Sequence, residues 1–378
     1  MRLLIDYRPA LRGRSGAGEY THELAAALLA RACADPTHSL GVTLFSSSWK
    51  DRLVPPCELC GARTADLPIP VSVLNLLWHR LERPKVETLT HDTYDVVHSS
   101  HPLLLPTRRA AQVVTIHDLD FLAHPERTRA EIRRDYPALV RGHAARADAI
   151  LVPSQFTSGE VTRLLDVPPD RIHVCPPGAP DWSPRGRAPR HGYLLFFGTL
   201  EPRKNIGTLL DAYERLLADP TSSPPPLMLA GGARPEAAPW LARIARPPLA
   251  GHVTHVGYVD PGDREALYAG AALLVMPSFD EGFGLPVLEA MTMGVPVVAA
   301  RRGALPEVLG DAGVLVDPTD AADLAAGLRR IYADDGMAEA CAVRGLARAG
   351  SFRWTETARR ALAAYERAIA HRRGGSPR

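Results

Sequence analysis

The sequence predicts an α/β fold: two tandem domains, each a parallel sheet whose strands are joined by crossover helices. Three observations carry that expectation. Short apolar runs of strand length alternate with amphipathic stretches of helical length over most of the chain. The segment PPGAPDWSPRGRAPRHG, residues 176–192, interrupts the alternation midway, too rich in Pro, Gly and Arg to sustain a helix or an inner strand. The length, 378 residues, exceeds one ordinary core. It suits two domains of about 150 to 200 residues each.

In the first half, RLLIDY (2–7), GVTLFSS (41–47), DVVHSS (95–100), QVVTIHD (112–118) and AILVPS (149–154) read as buried strands. Helical patterns lie between several of them. These are EYTHELAAALLARACA over 19–34, an Arg-rich stretch over 127–146, and QFTSGEVTRLL behind Ser154, which suits an N-cap. HSSH at 98–101, followed by Pro102, reads as loop. The second series repeats the alternation with YLLFFG (193–198), LMLAGG (227–232), HVTHVGYV (252–259), ALLVMPS (272–278), VPVVAA (295–300) and GVLVDP (313–318). Its helices include NIGTLLDAYERLLAD (205–219) and DREALYAGA (263–271). The last pattern, WTETARRALAAYERAIA over 354–370, is an amphipathic helix entered from Thr355 and stopped by Gly374. The expected division is a first domain over 1–180, a second over 190–353 and a closing helix over 354–371. Two such halves leave a cleft between their strand C-termini, where open parallel sheets bind ligands.

Bulk properties remove several function classes. A net charge of +2, with 23% charged and 46% hydrophobic residues, gives no general attraction to nucleic acid or to an acidic membrane. Only Lys50, Lys85 and Lys204 are lysines among 44 basic residues, so a lysine inside a motif is more informative than an arginine. Five cysteines, an odd and sparse set, favour a reducing compartment. The single C-x-x-C of Cys57 and Cys60 lacks the second pair a zinc finger would need. The apolar run in MRLLIDYRPA is too short for a signal peptide, and no stretch of ~18 apolar residues occurs. The expectation is a cytoplasmic protein, with peripheral contact at the inner face of a membrane as the alternative.

Four constellations carry chemistry. In EGFGLPVLEA (281–290) the preceding strand ends at Ser278 and Pro286 suits the first helical position, so 281–285 is a strand-to-helix turn. Gly282 and Gly284 let backbone N–H groups stand exposed at a helix N-terminus, where phosphate or other anionic oxygens bind. Glu281 faces the cleft ahead of the helix, and Glu289 falls about one turn inside it. A carboxylate can accept two hydrogen bonds from the vicinal hydroxyls of a ribose or hexose. The competing use of both carboxylates is to stabilise the positive helix end. In FFGTLEPRKNI (196–206), Gly198 ends a strand and Arg203, Lys204 and Asn205 open the next helix. That places two cations in a surface cleft where an anion would sit, or simply makes a solvated basic turn.

The other two constellations are weaker. In RGRSGAGEY (12–20), Gly16, Ala17 and Gly18 precede a helix begun by Glu19 and Tyr20. This G-x-G lacks the third glycine and the later acidic residue of a dinucleotide fingerprint. In TIHDLDFLAHP (115–125), His117 and Asp118 sit at a strand end, where parallel sheets place ligand residues. A buried histidine satisfied by the backbone is the alternative. Asp118-x-Asp120 is too short a pattern to imply a metal. No G-x-x-x-x-G-K-[ST], H-E-x-x-H or G-x-S-x-G occurs, which leaves kinase-like, metalloprotease and serine-hydrolase readings without an anchor.

The combination of GTLEPRKN, PSFDEGFGLPVLEAMTMGVPVVAA and FRWTETARRALAAYE closely resembles the retaining, nucleotide-sugar-dependent glycosyltransferases of the GT-B fold. The hallmark is E-x7-E, here Glu281 to Glu289, as in glycosyltransferase family 4. The resemblance implies two Rossmann-like parallel-sheet domains facing each other across a cleft, with the closing helix packed back on the first. It implies that Arg203 and Lys204 hold the donor diphosphate and offset charge on the departing nucleotide. Gly282, Phe283, Gly284 and Leu285 would meet donor sugar and phosphates, Glu281 the sugar hydroxyls, and Glu289 the ribose. His117 would touch the donor sugar, and Gly16, Ala17 and Gly18 the diphosphate. Gly198, Asn205, Gly257 and Tyr258 complete the implied donor site, the last two framing the nucleobase. Retention in this family is attributed to front-face attack without a protein nucleophile, so Glu281 forms no covalent adduct. No cofactor and no metal is expected.

RPALRGRSGAGEYTHEL is similar to the corresponding segment of bacterial mannosyltransferases, which makes GDP-mannose the expected donor. The acceptor would be a glycan or a lipid-linked hydroxyl, as in polysaccharide biosynthesis. The Arg-rich 127–146 stretch would meet a lipid-linked acceptor or form a solvated face, the latter being favoured. A sugar-nucleotide epimerase or hydrolase on the same architecture stays open, because fold does not fix function. So does a non-catalytic nucleotide-sugar binder.

Overall fold

The computed structural model describes residues 1–11, 16–34, 40–127, 130–186, 188–189 and 192–374, with the backbone alone described at 127 and 130–135. Residues 12–15 of RGRSGAGEY and 128–129 of the Arg-rich stretch, both singled out above, lie outside that set. The chain forms two compact α/β units, one of Met1–Gly178 together with the residues from Arg353 onward, the other of Ala179–Phe352. Each unit is built on a parallel sheet, and the expected C-terminal helix is present.

The first unit is built on a seven-stranded sheet. Its strands are β1 (Arg2–Asp6), β2 (Gly41–Ser47), β3 (Arg63–Leu67), β4 (Val96–Ser99), β5 (Ala111–Thr115), β6 (Ala149–Val152) and β7 (Ile172–Val174). They run in the order β3-β2-β1-β4-β5-β6-β7, all pairs parallel. Order reverses beside β1, so the C-terminal ends of β1 and β4 flank a switch point. Alternation along β1 explains the two covered faces. Leu3 and Ile5 bury against Leu24, Leu28 and Tyr365, whereas Leu4 packs with Phe45, Leu74 and Trp78. Each such fully buried side chain contributes about 1.5–3 kcal/mol relative to exposure.

The closing helix, Trp354–Gly374, belongs to the first unit. Ala358, Ala361, Ala364 and Ala368 are buried along it, and their small side chains let it lie close to the helix Ala17–Ala34 and the sheet. Tyr365 is fully buried and its hydroxyl meets His98 Nδ1 at 2.9 Å, while His98 Nε2 meets Thr115 Oγ1 at 2.7 Å. His98 and Ser99 lie in β4, as the strand reading of DVVHSS had them, and the loop reading of HSSH applies only beyond Ser99. Parallel pairing of Val96–Ser99 with β5 overrides the local signal of Pro102.

The second unit carries a six-stranded parallel sheet in the order β10-β9-β8-β11-β12-β13. Here β8 is Tyr193–Phe197, β9 Leu227–Ala230, β10 Val253–Gly257, β11 Ala271–Met276, β12 Val297–Ala300 and β13 Val314–Val316. The switch point falls between β8 and β11. The helix Ile206–Ala218 covers one face through Leu209, Leu210, Tyr213 and Leu216, at the 3–4 spacing of a buried stripe. No helix among the described residues is long and apolar enough to cross a membrane.

Candidate functional site

The switch point of the second unit gathers most of the expected donor residues. Loops leaving β8 and β11 meet there: Phe279 N donates to Arg203 O at 2.9 Å. Pro202–Lys204 form a single 3-10 turn, and Asn205 takes a left-handed conformation, φ +57°. The helix then starts at Ile206, so Arg203, Lys204 and Asn205 stand ahead of it rather than opening it as expected. Asn205 Nδ2 explains the turn by donating to Pro277 O (3.0 Å) and Pro318 O (2.7 Å), which ties three strand ends together.

Lys204 was expected in a surface cleft and Glu281 facing the cleft ahead of the helix. Both are buried instead, and paired. Lys204 Nζ lies 2.5 Å from Glu281 Oε1, and Arg203 Nη1 3.1 Å from Glu281 Oε2. Arg203 also donates to Asp280 O (2.9 Å) and to Glu201 Oε1 (3.1 Å). Burial on its own would raise the Glu281 pKa, but Lys204 and Arg203 outweigh it and hold it at about 2. Formal charges on Arg203, Lys204, Glu201 and Glu281 cancel. The reason is desolvation: a buried ammonium needs a counter-charge, and Glu281 supplies it.

The glycine turn behaves as its composition suggests, with the helix beginning one residue earlier than expected. It runs Leu285–Thr292, putting Leu285 at the first position and Pro286 at the second. Gly284 is the N-cap at φ +100°, and no side chain caps the helix. Pro286 brings no N–H and Val287 N donates to Gly284 O at 2.9 Å, so of the first turn the Leu285 N–H is left at the positive end of the dipole, facing the turn. A Cβ at Gly284 would stand 2.7 Å from Leu305 Cδ2, a second reason for glycine there. Gly282 and Phe283 are buried, the phenyl ring edge-on to Phe352 at 5.7 Å.

Glu289, inside this helix, is buried and internally partnered. Tyr268 donates its hydroxyl to Oε2 at 2.7 Å and Arg264 Nη1 approaches Oε1 at 3.4 Å. Arg264 lies over the Phe197 ring at 5.8 Å, and Tyr268 packs on Trp182 and Phe197. Burial, and then the charge on Glu289, push the Tyr268 phenol well above its ordinary pKa, so it stays a donor. Arg264, Tyr268 and Glu201 were missed by sequence reasoning. A legible signal existed: Arg264 and Tyr268, four residues apart, share one face of a short helix.

Gly198, Gly231 and Gly257 sit where three strands end. Gly231 N donates to Gly257 O at 2.7 Å, and a Cβ on Gly231 (φ +133°) would fall 2.1 Å from Gly198 O, so only glycine permits this approach. Tyr258, expected to frame a nucleobase, is 59% exposed.

In the first unit, Gly16 precedes the helix Ala17–Ala34 at φ +44°, and Ala17 and Gly18 already belong to that helix, which was expected to begin at Glu19. His117 follows β5. Its ring stands edge-on to Tyr20 at 5.2 Å, and its Nε2 is sealed from solvent without a hydrogen-bond partner. Burial pushes the imidazole down to about 4, so it is neutral at neutral pH. Asp118 Oδ1 accepts from Asp120 N at 3.3 Å. A cluster at the switch point went unread in the sequence. Asp6, fully buried at the end of β1, takes Arg8 Nε (2.8 Å) and Nη2 (2.7 Å) and His101 Nε2 (3.2 Å). Burial opposes ionisation of Asp6, yet Arg8 and His101 hold its pKa far below the usual carboxylate range.

A parallel sheet whose switch point gathers a glycine-capped helix start, two cations and two buried carboxylates defines a class: open α/β proteins, which place ligands at such a point. The particular family follows from comparison. Residues 191–334 match the family model for Glycosyl transferases group 1, and 14–181 the model for Glycosyltransferase Family 4. The O-antigen chain mannosyltransferase B of Escherichia coli is 36% identical over 301 residues, covering 76% of this chain and 79% of that protein. A D-inositol 3-phosphate glycosyltransferase of Nocardioides sp. (strain ATCC BAA-499 / JS614) is 31% identical over 319 residues, 73% of this chain and 68% of that one. In fold, a sucrose-phosphate synthase from Thermosynechococcus elongatus superposes with TM-score 0.77 at 23% identity, over 98% of this chain and 99% of that one. The chain belongs to the GT-B glycosyltransferases, and is an enzyme of that kind.

Proposed function

We propose that the enzyme transfers mannose from GDP-mannose to a hydroxyl of a glycan or lipid-linked acceptor, with retention at the anomeric carbon and without a metal. The observation that carries the donor site is the pairing of Arg203 and Lys204 with Glu281 in the turn ahead of the helix Leu285–Thr292. The Lys204 ammonium has three donors and spends one on Glu281, so a pyrophosphate oxygen can take another. Glu281 turns its remaining acceptor capacity to sugar hydroxyls. Glu289, beside Arg264, accepts from the ribose. The choice of mannose is supported by likeness to a protein named as an O-antigen chain mannosyltransferase.

In the proposed reaction the bond between the anomeric carbon and the diphosphate breaks, and its electron pair leaves with the β-phosphate. The acceptor oxygen bonds to that carbon on the same face, and its proton passes to the departing phosphate oxygen. Arg203 and Lys204 offset the charge that develops there, supplying the electrostatic contribution otherwise assigned to a metal.

The test is a thermal-shift screen of GDP-, UDP-, ADP- and dTDP-sugars, followed by product analysis with chelator present. A ligand at a hundred times its Kd stabilises the fold by about 2.7 kcal/mol. GDP-mannose should give the largest shift, and turnover should survive chelation. A larger shift with another sugar nucleotide overturns the donor, and an inverted linkage overturns retention. Acceptor-free release of an epimerised sugar nucleotide would move the assignment to the epimerase reading.

A further inference from the structure

We propose that a cleft at the edge of the second unit's sheet binds a small organic phosphate, separately from the nucleotide-sugar donor. The cleft encloses about 680 Å³ between the edge strand β13 and the helices Ala321–Tyr332 and Asp335–Ala349. That volume lies within the ordinary range for a ligand pocket, about 300–1,000 Å³. β13 stands two strands from β11, so about 10 Å of sheet separates the cleft from the strand that leads to Glu281.

Three guanidinium groups line this cleft from three elements. Arg301 follows β12, Arg330 lies in the last turn of the first helix, and Arg344 lies in the second. None forms an ion pair among the described residues. Arg301 Nη2 donates to Leu315 O at 3.0 Å and Arg344 Nε to Asp311 O at 2.8 Å, both neutral carbonyls. The Arg330 guanidinium has no hydrogen bond among the described residues, whereas its neighbour Arg329 is paired with Asp219. Asp334, the acid of the lining, caps the second helix by accepting from Met337 N at 3.0 Å. Asp317 is near Arg301 but does not line the cleft, and Thr319 N and Oγ1 take it up at 2.8 and 2.6 Å.

Charge and shape select the ligand. Three cations against one carboxylate leave two positive charges around a concave surface, which concentrates anions. The planar guanidinium fork matches a phosphate with two parallel hydrogen bonds. A phosphate monoester carries a charge of about −1.5 to −2 near neutral pH, close to what the lining leaves uncompensated. A carboxylate brings only half of that. The phosphate group fills a small part of the volume, and Val314, Leu315, Met337 and Ala340 line the remainder. Those side chains offer apolar contact to an organic body.

The experiment is isothermal titration of the full chain with phenyl phosphate, inorganic phosphate and benzoate at physiological salt. Phenyl phosphate should bind once per chain with a Kd of about 1 mM or below. Inorganic phosphate, which lacks the apolar body, and benzoate, which lacks the second charge, should both bind more weakly. Arg330→Gln and, separately, Arg301→Gln should each weaken phenyl phosphate about tenfold or more, as for a lost charge-assisted hydrogen bond. The Arg330 side chain has no partner to lose, so an unchanged melting temperature shows that this variant is folded. No binding of phenyl phosphate at about 10 mM, or binding unchanged in both variants, overturns the proposal. Equal affinity for inorganic phosphate also overturns it, reducing the cleft to an adventitious ion site. Binding that GDP-mannose displaces, and that both variants leave unchanged, puts the anion in the donor site instead. The donor assignment fails independently, if the wild-type chain shows no nucleotide-sugar shift.

Discussion

Lys204 Nζ lies 2.5 Å from Glu281 Oε1 although 77 positions separate them in the chain. The two residues leave different strands, β8 and β11, which neighbour each other at the point where strand order reverses. This contact makes the candidate site an ion-paired assembly in which a donor must share the cations with a resident carboxylate.

Removing one partner should expose that coupling. Lys204→Ala leaves buried Glu281 with Arg203 alone, so stability should fall by about 3 kcal/mol, at the low end for breaking a buried pair. Turnover should fall about a hundredfold or more as charge offset is lost. Adding Glu281→Gln should restore stability but not turnover. Urea unfolding and steady-state kinetics on the single and double variants check this. A double variant as unstable as Lys204→Ala would mean that the two groups are not coupled.

At Glu289 the expected effect is on binding. Arg264→Leu removes the neighbouring cation, and the donor KM should rise about tenfold with a smaller change in kcat, as for lost uniform binding. Tyr268→Phe keeps the ring against Trp182 and Phe197 but deletes the 2.7 Å bond. It should cost about 1.5–3 kcal/mol of stability, the range for a hydrogen bond to a charged group. If calorimetric donor affinity is unchanged in both variants, Glu289 does not bind the ribose.

Acid should weaken the first unit before the second. Burial lowers His98 to about 3, and His117 and His143 to about 4, from an ordinary 6.5. Between those values the unfolded chain binds protons that the folded chain refuses, so stability present above about pH 6.5 is lost as pH falls. The slope is about 1.4 kcal/mol per pH unit for each group in that window. Glu281 in the second unit, lowered from 4.5 to about 2, contributes above 4.5 and loses that contribution only below it. Hydrogen exchange at pH 7 and about pH 5, corrected for intrinsic rates, should show protection lost mainly in β4 to β6.

Gly284→Ala tests the turn. The residue sits at φ +100°, and its new Cβ would meet Leu305 Cδ2 at 2.7 Å. Backbone strain should cost about 1–3 kcal/mol. Donor affinity should drop further than stability, because the amides of the turn move with the strain. Equal donor affinity in the variant would mean that the turn does not meet the phosphates.

Legibility in the sequence followed the range of the interaction. EGFGLPVLEA announced a glycine turn feeding a helix because every cue lay within ten residues: glycine, proline, then an apolar run. Its one-residue error, Leu285 rather than Pro286 at the helix start, reflects cap geometry that depends on Gly284. DVVHSS read as strand to Ser100 and HSSH as loop from His98; the pairing of β4 with β5, which no local signal shows, carries the strand to Ser99. The shared helix face of Arg264 and Tyr268 was legible, but their meeting with Glu289 and the Asp6–Arg8–His101 cluster were not, since nothing in a linear pattern says which side chains strand order will bring together.

Strand and helix periodicity, the mid-chain break and the spacing of Glu281 and Glu289 were determined by the sequence alone, as near-neighbour physics requires. Only the tertiary structure decided that Lys204 and Glu281 are buried against each other, that Glu289 is shared with Arg264 and Tyr268, and that Arg301, Arg330 and Arg344 line one cleft. Burial sets the dielectric and the partners of every charge, and burial is a property of the packed chain.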